Sequence, residues 1–187
     1  MGENAIFNHY ELKGNSGSYL IYRMFNVVGT SGFPDIDSEA SAGYDRLFAA
    51  LESGKIIIYG NDYRTIDQTC ERDYVALKDV CRAYINGVGK FYYGTYNIRE
   101  VVNICTGMPY SVKRIINVWN DISFDFKSIP TENIRNLSPV TYTYGPRREG
   151  DPAIVYGAND KADSVIGWAP SKKIEDIIRD LAYDKKI

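Results

Sequence analysis

The sequence contains a single histidine, His9. Imidazole is the side chain that titrates nearest neutral pH and a common metal ligand, so neither a histidine acid–base pair nor an imidazole metal centre is expected. His9 reads as an exposed helix residue. Cysteine is scarce too: Cys70, Cys81 and Cys105 are an odd number without metal-like spacing. They read as reduced thiols of a cytoplasmic protein, small core or loop residues with no histidine nearby to activate them. Met1 opens no apolar signal segment, and no run is long enough to span a bilayer. The net charge is only −2, which argues for neither nucleic acid nor an anionic membrane as partner. Two chemical signatures are also not in place. No Gly-x-x-Gly-x-x-Gly opens a helix after a first strand, so no glycine-rich cradle for a dinucleotide is present. Tyr10 and Lys13 stand only three apart and make no Tyr-x-x-x-Lys pair.

What is present is apolar enough to fold. Of 187 residues, 44% are hydrophobic and 25% charged, as in a globular unit able to bury a sizeable core. That length suits one domain, or one large half of something larger. Apolar stretches alternate between two periods. Tyr19 to Val28 is mostly apolar, as expected of a strand buried on both faces of a parallel sheet. Ile56–Tyr59, Arg72–Val75, Val101–Ile104 and Thr141–Tyr144 read as further short strands. Helical spacing places Tyr44, Leu47, Phe48 and Leu51 on one face, with Ser38 near the start and Gly54 closing the helix. Asp79–Asn86 reads as a short helix ended by Gly87. Val112, Ile115, Ile116 and Trp119 form another face behind a Ser111 cap. Asp160–Ile166 ends at Gly167, and Ser171 caps a last helix carrying Ile174, Ile177, Ile178 and Leu181. Gly89 to Glu100 is aromatic and irregular. Helices alternating with short strands make the class α/β.

The chain is organised around Pro146-Arg147-Arg148-Glu149-Gly150-Asp151. Arginine grips phosphates because its planar fork donates hydrogen bonds in pairs. A carboxylate can accept from sugar hydroxyls, and Gly150 allows a sharp turn. One short loop could thus hold both a diphosphate and a ribose. A second stretch of the same character, Arg72-Asp73-Tyr74, lies upstream.

Read together, several stretches resemble the UDP-glucose 4-epimerases, within the extended short-chain dehydrogenases. Arg23-Met24-Phe25-Asn26-Val27-Val28-Gly29 is similar to a strand end of that family. Tyr59-Gly60-Asn61-Asp62-Tyr63-Arg64-Thr65, Arg72-Asp73-Tyr74, Asn103 to Gly107 with Ser111-Val112, and Pro146 to Asp151 follow in the family's order. Lys161-Ala162 and Gly167-Trp168 come after them. The resemblance implies a C-terminal half: residues 1–29 would end a Rossmann-like half, and 30–187 would mainly form the UDP-sugar-binding half. It implies that Asn26 touches the diphosphate or sugar, that Arg72 and Arg148 clamp the phosphates, and that Asp151 accepts from the ribose. Ile57, Ile58 and Tyr59 would face the uracil, and Phe25 would border the nicotinamide of a complete enzyme. Such an enzyme uses NAD to invert C4 of the hexose. This chain would carry no catalytic residue, bind no NAD alone, be inactive alone, and seek a partner chain or a second copy. Ala42-Gly43-Tyr44 departs from the family's Asn-Asn-Leu. A noncatalytic nucleotide-sugar-binding module and a related decarboxylase or dehydratase are the alternative readings.

Overall fold

In the computed structural model, residues 2–14, 16–29, 46–93, 98–126 and 138–183 are described. The Ser38 cap, the loop at 30–35, Ala42-Gly43-Tyr44 and the stretch 94–97 lie outside them. The chain begins with α1 (Gly2–Phe7), which runs into a π-helical turn over Asn8–Leu12. The apolar stretch from Tyr19 is two strands, β1 (Tyr19–Met24) and β2 (Asn26–Val28), because it changes partner at Phe25. β1 runs parallel to β5 (Arg99–Ile104), and β2 parallel to β4 (Glu71–Ala76). Burial on both faces holds at Val28 but not along β1, where Arg23 and Met24 are exposed. Arg23 turns out to Glu3, with hydrogen bonds of 2.8 and 2.6 Å.

Two ribbons complete the frame. β3 (Lys55–Tyr59) runs parallel to β7 (Thr141–Gly145), with Tyr59 opposite Gly145. β4 also pairs antiparallel with β6 (Pro109–Ser111) and parallel with β8 (Ile154–Val155). Neither short strand was foreseen, since three and two residues carry no readable period. Around these strands pack α2 (Arg46–Glu52), α3 (Leu77–Tyr92), α4 (Val112–Phe126), α5 (Asp160–Ile166) and α6 (Ile174–Tyr183).

The helical spacing seen in sequence becomes burial. Phe48 and Leu51, Ile115, Ile116 and Trp119, and Ile174, Ile177, Ile178 and Leu181 close one cluster over Ile56 and Ile58 of β3. Val75, Val80, Ala83, Ile104, Ile166 and Trp168 form a second. Both indoles find acceptors: Trp119 Nε1 donates to the Ser138 carbonyl at 3.0 Å and Trp168 Nε1 to that of Asp79 at 2.8 Å. A buried indole needs such a partner.

The caps divide into one that acts as read and one that does not. Ser111 Oγ accepts from the Arg114 amide at 3.1 Å, as an N-cap should. Ser111 also donates to Asp67. Burial works to raise the Asp67 pKa, but hydrogen bonds from Ser111 and Thr69 outweigh it and hold the carboxyl below its usual range. Ser171 does not cap α6. Its hydroxyl donates to Asp79 at 2.6 Å, and the first turn is instead closed by Asp176 on the Lys173 amide. Asp79 is buried, and its carboxylate also accepts from the Ser171 amide at 2.9 Å and the Lys172 amide at 3.1 Å, as a buried carboxylate needs.

The helix read as ending at Gly87 continues to Tyr92. Gly87 is there for close approach: a Cβ would stand 1.8 Å from the Tyr22 hydroxyl, which donates to the Ala83 carbonyl at 3.1 Å. Glycine inside a helix costs about 1 kcal/mol against alanine, so Gly87→Ala would ordinarily stabilise. Here overpacking should reverse the sign, with a loss of about 1–3 kcal/mol in urea unfolding. Adding Tyr22→Phe should recover part of it by removing the clashing hydroxyl. A more stable Gly87→Ala variant would contradict this packing.

Candidate functional site

The cavity of interest has a volume of about 490 Å³ and is floored by β3. Period-2 alternation buries Ile56 and Ile58 and leaves Lys55, Ile57 and Tyr59 outward. The far wall is the start of β4, which carries Arg72, with Asn26 of β2 close by. Arg148 and Asp151 come from the loop after β7.

Two strand pairings bring the distant arginines together. β7 follows β3 in register, and the Gly60 amide donates to the Gly145 carbonyl at 3.0 Å, so the arginine loop starts beside Tyr59. On its far side β8 pins the chain to β4, with Val155 opposite Arg72 and the Glu71 amide donating to the Ala153 carbonyl at 2.8 Å. Residues 146–153 thus bridge the end of one parallel strand and the start of another. Gly150, at φ +74°, makes the turn, closed by the Asp151 amide on the Arg148 carbonyl at 3.3 Å.

Electrostatics hold the loop in place. Arg72 is ion-paired with Asp151, and both are largely buried, at 14% and 26% side-chain exposure. Arg72 Nη1 also donates to the Glu71 carbonyl at 2.7 Å. The Tyr63 hydroxyl donates to Asp151 at 3.0 Å, and the phenol pKa is raised, first by burial and then by that carboxylate. The Arg147 guanidinium lies 4.0 Å above the Tyr63 ring and that of Arg148 4.1 Å above the Tyr59 ring. Cation–π contact of this kind orients an exposed arginine without consuming its in-plane donors. Cys70 lines the cavity as well, its thiol pushed up in pKa by burial.

Asn26, Ile57, Ile58, Tyr59, Arg72, Arg148 and Asp151 therefore all line one cavity. Ile58 does so from the core side of the strand. Phe25 stands apart from it: a Cβ on Gly157 would lie 2.6 Å from its ring, so Phe25 packs against that backbone. Sequence reading passed over Lys55 and Tyr63. Lys55 was legible, two and four residues before Ile57 and Tyr59 on one strand face. Tyr63 was not, because its partner Asp151 is 88 residues away.

Gly60 carries the turn that delivers Tyr63. It sits at φ +91°, and a Cβ would come within 2.6 Å of the Tyr63 ring. Gly60→Ala should cost about 1–3 kcal/mol in chemical denaturation, from the strained backbone and the displaced ring together. A variant within 0.5 kcal/mol of the parent, in line with ordinary surface changes of about that size, would show that the turn tolerates a side chain.

Among the described residues, no cluster of histidine, cysteine or carboxylate could hold a metal ion. No helix there is long and apolar enough to cross a membrane.

No family model matches the chain. The UDP-glucose 4-epimerase of Lactobacillus helveticus is 31% identical over 172 residues, 89% of this chain and 48% of that protein. The UDP-glucose 4-epimerase of Stenotrophomonas maltophila, solved with NAD and formylated UDP-arabinopyranose, superposes with a TM-score of 0.73 at 22% identity, over 96% of this chain and 51% of that one. The enzyme of Bifidobacterium longum, solved with NAD+ and UDP, gives a TM-score of 0.71 at 24% identity over 96% and 50%. The chain spans about half the length of the curated relatives it matches.

Proposed function

The chain is related over nearly all of its length to the UDP-glucose 4-epimerases, and from that premise we propose that it is the UDP-sugar-binding, C-terminal half of such an enzyme. The observation that carries this reading is that the seven residues implied by the resemblance, from four separate stretches of the chain, line one cavity. In this assignment Arg72 and Arg148 hold the diphosphate, two cations for two phosphates. Asp151, oriented by Arg72 and Tyr63, accepts from the ribose. Ile57 and Tyr59 give the base a flat apolar floor, and Asn26 reaches the sugar side. Residues 1–29 close a second, Rossmann-like unit in this proposal. β1 pairs with only β5 among the described residues, which leaves its other edge for a further strand and makes a partner chain or second copy the expected company.

NAD chemistry would supply the hydride exchange of a complete enzyme, but the residues here do not fit that cofactor. The turn at the carboxyl end of β5 gives its Thr106 and Gly107 amides to the Asp73 carboxylate, at 2.8 and 2.9 Å, not to an outward-facing anion site. The one Tyr-x-x-x-Lys match, Tyr74 to Lys78, is split between β4 and α3, with Tyr74 buried and Lys78 turned to Asp180 at 3.6 Å. Binding and orientation of the nucleotide are therefore the share assigned to this chain. Calorimetry tests it. UDP should bind, and UMP should bind about tenfold or more weakly, because one charge-assisted phosphate grip is lost. A chain that takes up no UDP would withdraw the reading.

A further inference from the structure

Resting on the UDP-sugar reading, we propose that Lys55 reads the nucleobase, favouring a pyrimidine with two ring carbonyls over one with an exocyclic amine. Lys55 lies on the same exposed face of β3 as Ile57 and Tyr59, and all three line the cavity. Along a strand, Tyr59 and Lys55 are separated by about 13 Å. The phosphate-binding end lies past Tyr59 in this reading, at Arg148, which stacks on that ring, and at Arg72, against which the loop from Gly145 brings Asp151. A nucleoside diphosphate anchored there has its ribose at Asp151. Its base then lies over Tyr59 and Ile57 and points toward Lys55.

The same cavity is also lined by the apolar Leu47, Ala50 and Ile56. Among the described residues no carboxylate is ion-paired with Lys55. An ammonium has three donors and no acceptor. It therefore satisfies a ring carbonyl and opposes an amino group. Uracil carries O4 at the edge farthest from the ribose, the edge that this pose turns toward Lys55; cytosine keeps O2 but carries an amine at that edge. The preference arises from one charged donor meeting an acceptor in one ligand and a donor in the other.

Calorimetric titration of the chain and of Lys55→Met with UDP, CDP and pyrophosphate tests the assignment. The parent chain should prefer UDP over CDP by about tenfold, the scale of one charge-assisted hydrogen bond. Lys55→Met should lose that preference, weaken UDP by a similar factor and leave pyrophosphate unchanged. If the parent binds UDP and the variant keeps its preference, Lys55 is not the reader, and the nucleotide site stands. If the variant loses UDP, CDP and pyrophosphate alike, Lys55 serves the phosphates and the base assignment is wrong. A parent that binds none of the three overturns the assignment together with the site. Far-ultraviolet circular dichroism of the variant checks that the fold is retained.

Discussion

Replacing Arg72 with alanine should abolish measurable UDP binding, a loss of about 100-fold or more. Breaking a desolvated charge–phosphate contact costs about 2–5 kcal/mol, and Arg72 contributes more than its own charge. It is only 14% exposed, and its ion pair with Asp151 positions the carboxylate assigned to the ribose. Without it, Asp151 keeps the Tyr63 hydroxyl at 3.0 Å but no buried cation. Arg148→Ala should be milder, about tenfold, because that guanidinium is solvent-facing and rests on Tyr59 at 4.1 Å. Arg72→Lys keeps the charge and loses the fork, so it should fall between them. The same change costs stability, about 1–3 kcal/mol, since Asp151 is left partly buried and less well paired. Urea unfolding separates the two effects: a folded Arg72→Ala protein that still binds UDP within threefold of the parent would remove Arg72 from the site.

The largest stability effect is expected at Asp73, which has no solvent exposure. Its carboxylate accepts from the Thr106 amide at 2.8 Å, the Thr106 hydroxyl at 2.6 Å and the Gly107 amide at 2.9 Å. The Gly157 amide approaches at 3.5 Å. One side chain therefore ties the strand carrying Arg72 to the turn after β5 and to the segment after β8. Asp73→Ala strands those donors at once. Unsatisfied donors cost about 1–3 kcal/mol each, less where water reaches them, so a total of about 3–5 kcal/mol is expected. That is a large fraction of the roughly 5–15 kcal/mol that holds a domain folded. Asp73→Asn keeps one acceptor but turns an amide donor toward backbone donors, so it should recover less than half of the loss. Equilibrium unfolding in urea measures both; a change under 1 kcal/mol for alanine would mean that water replaces the carboxylate.

Much of the architecture was readable because amphipathic periods are local. The faces through Phe48 and Leu51, through Ile115 and Trp119, and through Ile174 to Leu181 are buried, with Leu47 half-buried against them. Gly54 and Gly167 end their helices at φ +77° and +64°, in the left-handed region where a Cβ is penalised. Gly87 misled for an equally physical reason. A helix terminator and a close-packing glycine look alike until the opposing side chain, here Tyr22, is known. Ser171 misled similarly, because Asp79, 92 residues before it in the chain, competes for its hydroxyl.

Residue chemistry marked the loop from Arg147 to Asp151 as a grip for phosphate and ribose, and the family resemblance added Arg72, the β3 face and the strand-end Asn26 as expected contacts. It also showed that Tyr10 and Lys13, only three apart, make no Tyr-x-x-x-Lys pair. Tertiary structure alone decided that Arg72 and Asp151, 79 positions apart, pair with each other, that Phe25 packs away from the cavity, and that Lys55 shares its floor. Side-chain type and local period are properties of neighbouring residues. The register of β7 on β3 and of β8 on β4 is set by how the whole core packs, and that register places the arginine loop across the site.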